Sequence, residues 1–160
     1  MLVKRNLLLD NDKLTMPDMI AGSGEAELVN GTLHLYNMTN RATEMTINGN
    51  NERLSELVKE DDRFSVGLYG KFDTPIILYK GETYKTPYKK GDFYYIEAGA
   101  KSIFKPLHVN GYQPYTGYIK ALAVYKGEAP DVYLPNINTL PEEKRGFLPP
   151  EGNYKEITPL

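Results

Sequence analysis

The sequence predicts an all-β protein, an antiparallel β-sandwich or barrel with at most one short helix and an extended proline-rich arm at its carboxyl end. Three observations favour this class. Apolar runs are short, mostly alternate with polar residues, and are interrupted by Gly, Asn and Pro. A chain of 160 residues suits one domain. Six of the 11 prolines fall within the last 31 residues, where neither a strand nor a helix is expected.

The first three predicted strands lie in the amino-terminal third of the chain. Residues 7–9 are three leucines that end at an Asp-Asn-Asp break. Residues 32–36 alternate, so that Leu33 and Leu35 share one face. Residues 45–47 also alternate and lead into the turn-forming run Asn-Gly-Asn-Asn. The second and third segments therefore each have one apolar face, and the first and third end at a break or turn.

Four further strands are predicted in the rest of the chain. Residues 64–69 alternate apolar and small or polar side chains. Residues 76–79 end at Lys-Gly, and residues 93–96 end just before Ala-Gly. Residues 118–125 form the longest run, with Leu122 and Val124 on one face. We expect the strand aromatics to be core residues, namely Phe64, Phe72, Phe93 and Tyr95.

One segment departs from the strand pattern. In residues 51–60, Leu54, Leu57 and Val58 fall at helical spacing behind an Asn that suits an N-cap. This spacing predicts a single helical turn at the edge of the sandwich, and a loop is the alternative.

The composition changes after Gly127. Residues 128–160 hold the six clustered prolines together with apolar side chains, a mixture too apolar for a free linker. We therefore divide the chain into a β-sandwich over residues 1–127 and a proline-rich arm over residues 128–160. We expect the arm to lie along its own domain or along a neighbouring subunit, and a disordered spacer is the alternative.

Composition and charge exclude several classes of protein. The chain has no cysteine, so it has neither disulfides, a thiol nucleophile nor a thiolate zinc site. Its net charge of −2 argues against a nucleic-acid partner. No apolar run approaches the roughly 7–15 residues of a signal peptide or the ~20 of a membrane span. We expect synthesis in the cytoplasm and no membrane partner.

Few residues point to catalysis or to a metal. The two histidines are 74 positions apart and no nucleophile-elbow pattern is present, so we expect no enzyme and no catalytic residue. We also expect no cofactor. The acidic runs at 10–12 and 60–62 have the hard oxygen donors that suit calcium, but a solvated charge run is the favoured alternative.

Thirteen tyrosines, with no tryptophan, are the most informative feature. Several lie where loops are predicted. Tyr84 and Tyr88 fall in a polar, hairpin-like connection, whereas a second predicted loop holds His108, Asn110, Tyr112, Gln113 and Tyr115. A sugar ring stacks its C–H face on an aromatic ring, while its hydroxyls need polar side chains. These seven residues are the candidate saccharide-binding residues. For each tyrosine, a ring folded back on the sandwich is the alternative.

A second polar face is conceivable on the early strands. His34 and Tyr36 share the polar side of residues 32–36, and Arg41 and Thr43 follow on the next segment. These four residues could form a shallow platform, although His34 is more simply an exposed strand residue.

Three stretches resemble a known family. Residues 6–10 (Asn-Leu-Leu-Leu-Asp) resemble the opening strand of carbohydrate-binding-module-like, galactose-binding-like jelly rolls in tail and baseplate proteins of phages that infect Gram-positive bacteria. Residues 63–71 are similar to the central strand of these domains, and residues 118–127 to the last strand. The proline-rich stretch 129–152 occupies the place of their tail. The chain departs from the family in having no tryptophan, which such modules commonly carry at the sugar-contacting face.

The resemblance implies a jelly-roll β-sandwich in a phage or prophage particle. We expect a non-catalytic virion protein of the tail, baseplate or fibre that binds host cell-surface polysaccharide, contacts other virion proteins and forms a homo-oligomer. The alternative is a structural or assembly protein whose arm docks on a partner and which has no saccharide site. A small glycan-processing enzyme is the third reading.

Overall fold

The computed structural model describes residues 2–4, 6, 14–45, 58–80, 83–103, 105–130 and 153–155. Within these residues every regular element is a β-strand. In chain order the strands are β1 (Leu2–Lys4), β2 (Asp18–Ile20), β3 (Ser23–Val29), β4 (Thr32–Thr39), β5 (Ala42–Met45), β6 (Arg63–Phe72), β7 (Ile77–Lys80), β8 (Thr83–Lys85), β9 (Tyr88–Lys90), β10 (Phe93–Gly99), β11 (Leu107–Asn110), β12 (Tyr115–Lys126) and β13 (Asn153–Lys155). The predicted all-β class is confirmed.

Two antiparallel sheets form the sandwich. The order is β3-β4-β12-β6-β10-β9 in the six-stranded sheet and β2-β5-β11-β7-β8 in the five-stranded sheet. Four antiparallel pairs are nested in the sequence: β4 with β12, β5 with β11, β6 with β10 and β7 with β8. These pairs alternate between the two sheets, which is the winding of a jelly roll. The predicted jelly-roll sandwich is therefore confirmed.

The main core lies between the two sheets and follows from strand alternation. Leu33 and Leu35 of β4 are fully buried, as are Val66 and Leu68 of β6. The five-stranded sheet contributes buried side chains such as Leu78. Since apolar residues two apart in a strand share a face, the apolar stripes seen in the sequence become the two inner surfaces.

A second cluster covers the outer face of the six-stranded sheet. It contains Tyr69, Phe93, Ala121, Ala123, Tyr125 and Ala129. The start of the proline-rich arm closes it, because the Ser65 hydroxyl donates to the Gly127 carbonyl at 2.7 Å and Lys90 Nζ donates to the Ala129 carbonyl at 2.9 Å. Residues 127–129 therefore lie along their own domain.

The Asn6 side chain bonds to β12 beyond the point where β4 stops. The pairing of β4 with β12 reaches only as far as Ile119. Beyond it, the fully buried Asn6 amide donates to the Leu122 carbonyl at 3.1 Å and accepts from the Val124 N–H at 3.0 Å. The amide thus satisfies two backbone groups of β12 that a neighbouring strand would otherwise pair.

The edge strand β3 is joined to β4 by a two-residue turn. Asn30 and Gly31 both have positive φ, 50° and 83°. This is the requirement of a type I′ hairpin, and Asn-Gly is the dipeptide that meets it best.

Most predicted strands in the described residues are confirmed, and some expectations are corrected. Strands β1, β2, β3, β8, β9 and β11 are not among the predicted strands. Strand β13 pairs with β1, so the expectation that the arm enters no sheet is wrong at 153–155, where no proline occurs. The leucines at 7–9, the acidic run at 10–12, the helical turn at 51–57 and the arm at 131–152 and 156–160 lie outside the described residues. Residues 58–60 form no helix.

Candidate functional site

A row of polar and aromatic residues crosses the outer face of the five-stranded sheet. Each strand contributes one residue that is directly opposite the next in the pairing register. From one edge to the other the row is Asp18, Glu44, His108, Tyr79 and Tyr84. Directly opposed residues have Cβ atoms about 4.5–5.5 Å apart. The jelly-roll winding therefore brings together residues from five separate parts of the sequence.

Strand alternation places Glu44, His108 and Tyr79 of this row outside the core. In β11, Leu107 and Val109 are fully buried, which turns His108 to the outer face. In β5, Thr43 and Met45 point inwards and leave Glu44 on the outside. The same parity applies at Tyr79 of β7, which follows the buried Leu78.

The centre of the row is a hydrogen-bonded pair. His108 Nε2 lies 2.7 Å from Glu44 Oε2, and the side chains are 13% and 32% exposed. Because a carboxylate oxygen accepts, Nε2 carries the proton in this pair. His108 Nδ1 is buried and has no hydrogen-bond partner in the part of the chain that the structure describes. The imidazole is thus held by one polar contact at one ring edge.

Aromatic stacking holds the other side of the imidazole. The His108 and Tyr79 rings are 4.4 Å apart between centroids and 7° from parallel. One face of each ring is therefore covered by the other. The stack fixes the orientation of the His108 ring, whose Nε2 edge faces Glu44. The half-buried Glu44 carboxylate stays in contact with solvent.

Five of the seven candidate saccharide-binding residues lie on the strands of the five-stranded sheet or in the loop that follows β11. His108 is in the row, and Tyr84 is opposite Tyr79 in the β7–β8 register. Asn110 ends β11, where its Oδ1 accepts from the Gly111 N–H at 2.8 Å. Tyr112 and Gln113 come directly after β11 and are exposed, with 79% of Tyr112 accessible.

The other two candidates lie elsewhere. Tyr115 is 1% exposed and packs in the main core, where burial raises the pKa of its hydroxyl to about 12. Its ring is folded back on the sandwich and is not open to a ligand. Tyr88 is on β9, at the edge of the six-stranded sheet, with its ring 5.5 Å from that of Tyr95.

The predicted loop placement of these residues is corrected. Tyr84 and Tyr88 lie on two strands that belong to different sheets, so residues 83–90 are a crossover between sheets and not a hairpin. His108 and Asn110 lie on a strand as well. The strands concerned have three or four residues each, too few for an alternation that the sequence could reveal.

Sequence reasoning missed Asp18, Glu44 and Tyr79 as site residues. Each lies one residue from a side chain that faces the core, so its outward direction could have been read from alternation. That these residues lie side by side could not be predicted from alternation, because it depends on the order of β2, β5, β11 and β7 in the sheet.

The platform expected around His34 has a different composition from that predicted. Thr43 is fully buried, and Arg41 Nη1 donates to the Gly24 carbonyl at 2.8 Å. On the outer face of the six-stranded sheet, the His34 ring instead lies 6.2 Å from Tyr36 and 5.9 Å from Tyr118. This forms a second, separate aromatic surface.

The acidic run at 60–62 is used partly by the fold. Asp62 Oδ2 accepts from the Lys59 N–H at 2.9 Å, and its Oδ1 lies 3.5 Å from Lys126 Nζ. In the described residues no group of three or more His, Asp or Glu side chains is arranged to hold a metal ion. Nor does this part of the chain contain a helix long and apolar enough to cross a bilayer.

The chain was compared with protein-family models, with curated proteins and with solved structures, and none of them matches it.

Proposed function

We propose that this chain is a non-catalytic virion module that binds host cell-surface polysaccharide through the outer face of its five-stranded sheet. The row formed by Asp18, Glu44, His108, Tyr79 and Tyr84 carries this proposal. The phage context rests on the resemblance of three sequence stretches to tail and baseplate jelly rolls.

The chemistry of the row suits a saccharide. Sugar hydroxyls both donate and accept hydrogen bonds, and the Glu44 carboxylate is half-buried and partly open to them. Its hydrogen bond to His108 restrains the carboxylate before a ligand arrives, which reduces the ordering cost of binding.

Tyr112 supplies the stacking surface. Its ring is 79% exposed, whereas one face of Tyr79 is covered by His108. Tyr112 follows His108 by four residues, so their Cα atoms are at most about 14 Å apart. An oligosaccharide that stacks on Tyr112 therefore reaches the polar groups of the row.

Repetition of the module would strengthen a weak site. A homo-oligomer on a symmetric particle presents many copies of one face, and linked copies gain avidity of about 10²–10⁴ without new contacts. This fits a site that is open and has few fully buried polar groups.

The test is binding of the folded chain to an array of wall polysaccharides from Gram-positive bacteria, followed by calorimetry with the best binder. Tyr112→Ala and Glu44→Gln should each weaken binding about tenfold, the value of one stacking or charged hydrogen-bond contact. Tyr36→Ala, on the other sheet, is the matched control and should bind like the unchanged protein.

Two results would contradict the proposal. A folded, oligomeric sample that binds no polysaccharide would favour the structural role, in which the arm docks on a partner. Release of new reducing ends from the polysaccharide would show an enzyme.

A further inference from the structure

A pocket opens between the two sheets, away from the row described above. Its volume is about 240 Å³. Both sheets and the turn after β10 line it, through Arg63, Lys80, Lys85, Ile96, Glu97, Ala98, Gly99 and Ser102. Three of these residues carry a basic group and one carries a carboxyl group.

Lys80 is the unusual member of this lining. It shares the inner side of β7 with the core residue Leu78, and it is only 7% exposed. Its Nζ donates to the Lys105 carbonyl. Within the described residues it forms no ion pair with a carboxylate. A buried ammonium group with a single neutral acceptor is costly, because it has lost its hydration without gaining a counter-charge.

The other charged groups are at the rim. Arg63 and Lys85 are exposed residues of β6 and β8, and Glu97 is an exposed residue of β10. On β10 the inward residues are Ile96 and Ala98, so the Glu97 side chain faces outwards between them. With Lys80 protonated, the lining has an excess of two positive charges.

We propose that this pocket binds an oxyanion group, with the Lys80 ammonium as the innermost ligand and Arg63 and Lys85 at the entrance. The group is a sulfate, a phosphate or a carboxylate, either free or carried on a sugar. The proposal does not depend on the saccharide face.

The binding is coupled to protonation of Lys80. Burial lowers the pKa of Lys80 to about 7, so near neutral pH the amine is only partly charged. An oxyanion favours the charged form, so the Lys80 amine takes up a proton from solvent when the oxyanion binds. The other charged residues that line the pocket are Arg63, Lys85 and Glu97. Affinity should therefore fall as the pH rises from 6 to 9.

The experiment is calorimetric titration of the full chain with sodium sulfate, whose charge is constant over this range. We expect sulfate to bind at pH 6 and to bind at least tenfold more weakly at pH 9. Chloride holds the ionic strength constant in both titrations. Repeating the titration at pH 7.5 in two buffers of different ionisation enthalpy should show net proton uptake. Binding independent of pH would overturn the assignment to Lys80.

Variants separate the pocket from the rest of the surface. Lys80→Met keeps an unbranched chain of similar length and should abolish sulfate binding. Lys71→Met, at the other end of β6, is the matched control and should not change it. Arg63→Gln, an exposed residue, should weaken binding several-fold and keeps the test decisive if Lys80→Met does not fold. Unchanged binding in both pocket variants would contradict the proposal.

A second titration, with glucuronate, distinguishes the source of the oxyanion. Tighter binding of glucuronate than of sulfate would indicate a group carried on a sugar. Binding of sulfate alone would indicate a free inorganic ion. Binding of neither would overturn the proposal.

Discussion

The phenol oxygens of Tyr69 and Tyr125 lie 2.7 Å apart on the outer side of the six-stranded sheet, although 56 positions separate the residues in sequence. The two hydroxyls share a hydrogen bond inside a cluster of stacked rings. The Phe93 ring is 4.7 Å from Tyr69 and 5.4 Å, edge-on, from Tyr125. Tyrosine therefore serves here as a core residue whose polar tip is satisfied by a second tyrosine.

Removing either hydroxyl should destabilise the fold. Tyr69→Phe and Tyr125→Phe should each lower the free energy of unfolding by about 1–2 kcal/mol, because each breaks a buried hydrogen bond. The double variant should lose less than the sum, as expected for partners in one bond. Urea denaturation of the four proteins measures this coupling, and strictly additive losses would contradict it.

Asn6 should contribute strongly to the free energy of unfolding. Asn6→Ala removes both bonds to β12, to the Leu122 carbonyl and from the Val124 N–H. We expect a loss of about 2–3 kcal/mol in thermal or urea unfolding, since two buried backbone groups lose a partner. Gln113→Ala, at an exposed loop position, is the control and should change stability by less than about 0.5 kcal/mol. Equal stability of both variants would contradict this role.

Lys80 predicts how stability depends on pH. Its pKa is about 7 in the folded chain and near 10.5 when unfolded, so between these values the unfolded chain binds more protons. Stability should therefore rise as pH increases from 7 to 9.5, by at most about 1.4 kcal/mol per pH unit. Lys80→Met should remove this rise in urea denaturation series. A rise that persists in Lys80→Met would show that other groups cause it.

Tyr115 predicts the opposite slope at higher pH. Because burial raises its pKa from 10.0 to about 12, the folded chain retains the proton that the unfolded chain loses. Its contribution to stability should therefore be lost as pH rises from 10 to 12. Tyr115→Phe should show a shallower decline than the unchanged protein, and an identical decline would contradict this origin.

The two tyrosines around the β11–β12 connection should separate stability from binding. Tyr115→Ala empties a fully packed core site and should cost about 3–5 kcal/mol. Tyr112→Ala should change stability by less than about 0.5 kcal/mol, because the ring is exposed. Thermal melts of both variants check this prediction. Similar losses of stability in the two variants would contradict it.

Alternation made much of the fold predictable from the sequence. Residues 32–36, 64–69 and 118–125 became parts of β4, β6 and β12, the strands that dominate the six-stranded sheet. Strand β3 had a signal in Asn30-Gly31, a dipeptide typical of tight hairpins. Strands β8 and β9 had none, because each has three residues and a largely polar sequence.

The candidate site was less predictable for a physical reason. His108 and Asn110 were singled out from their chemistry, but the contact with Glu44 spans 64 positions and depends on the neighbourhood of β5 and β11. Tyr115 was predicted as a binding residue and is instead a core residue. Its loop-like surroundings of Gly, Gln and Pro concealed that the ring turns inwards.

Residues 127–129 pack against the outer side of the six-stranded sheet, so the start of the arm and the row lie on different sides of the module. Residues 127–129 lie on that side of the sandwich, whereas Glu44 and His108 are on the opposite side. A partner that contacted residues 127–129 would therefore have the row directed away from that contact. Attachment and presentation then use opposite surfaces and do not compete for the same residues.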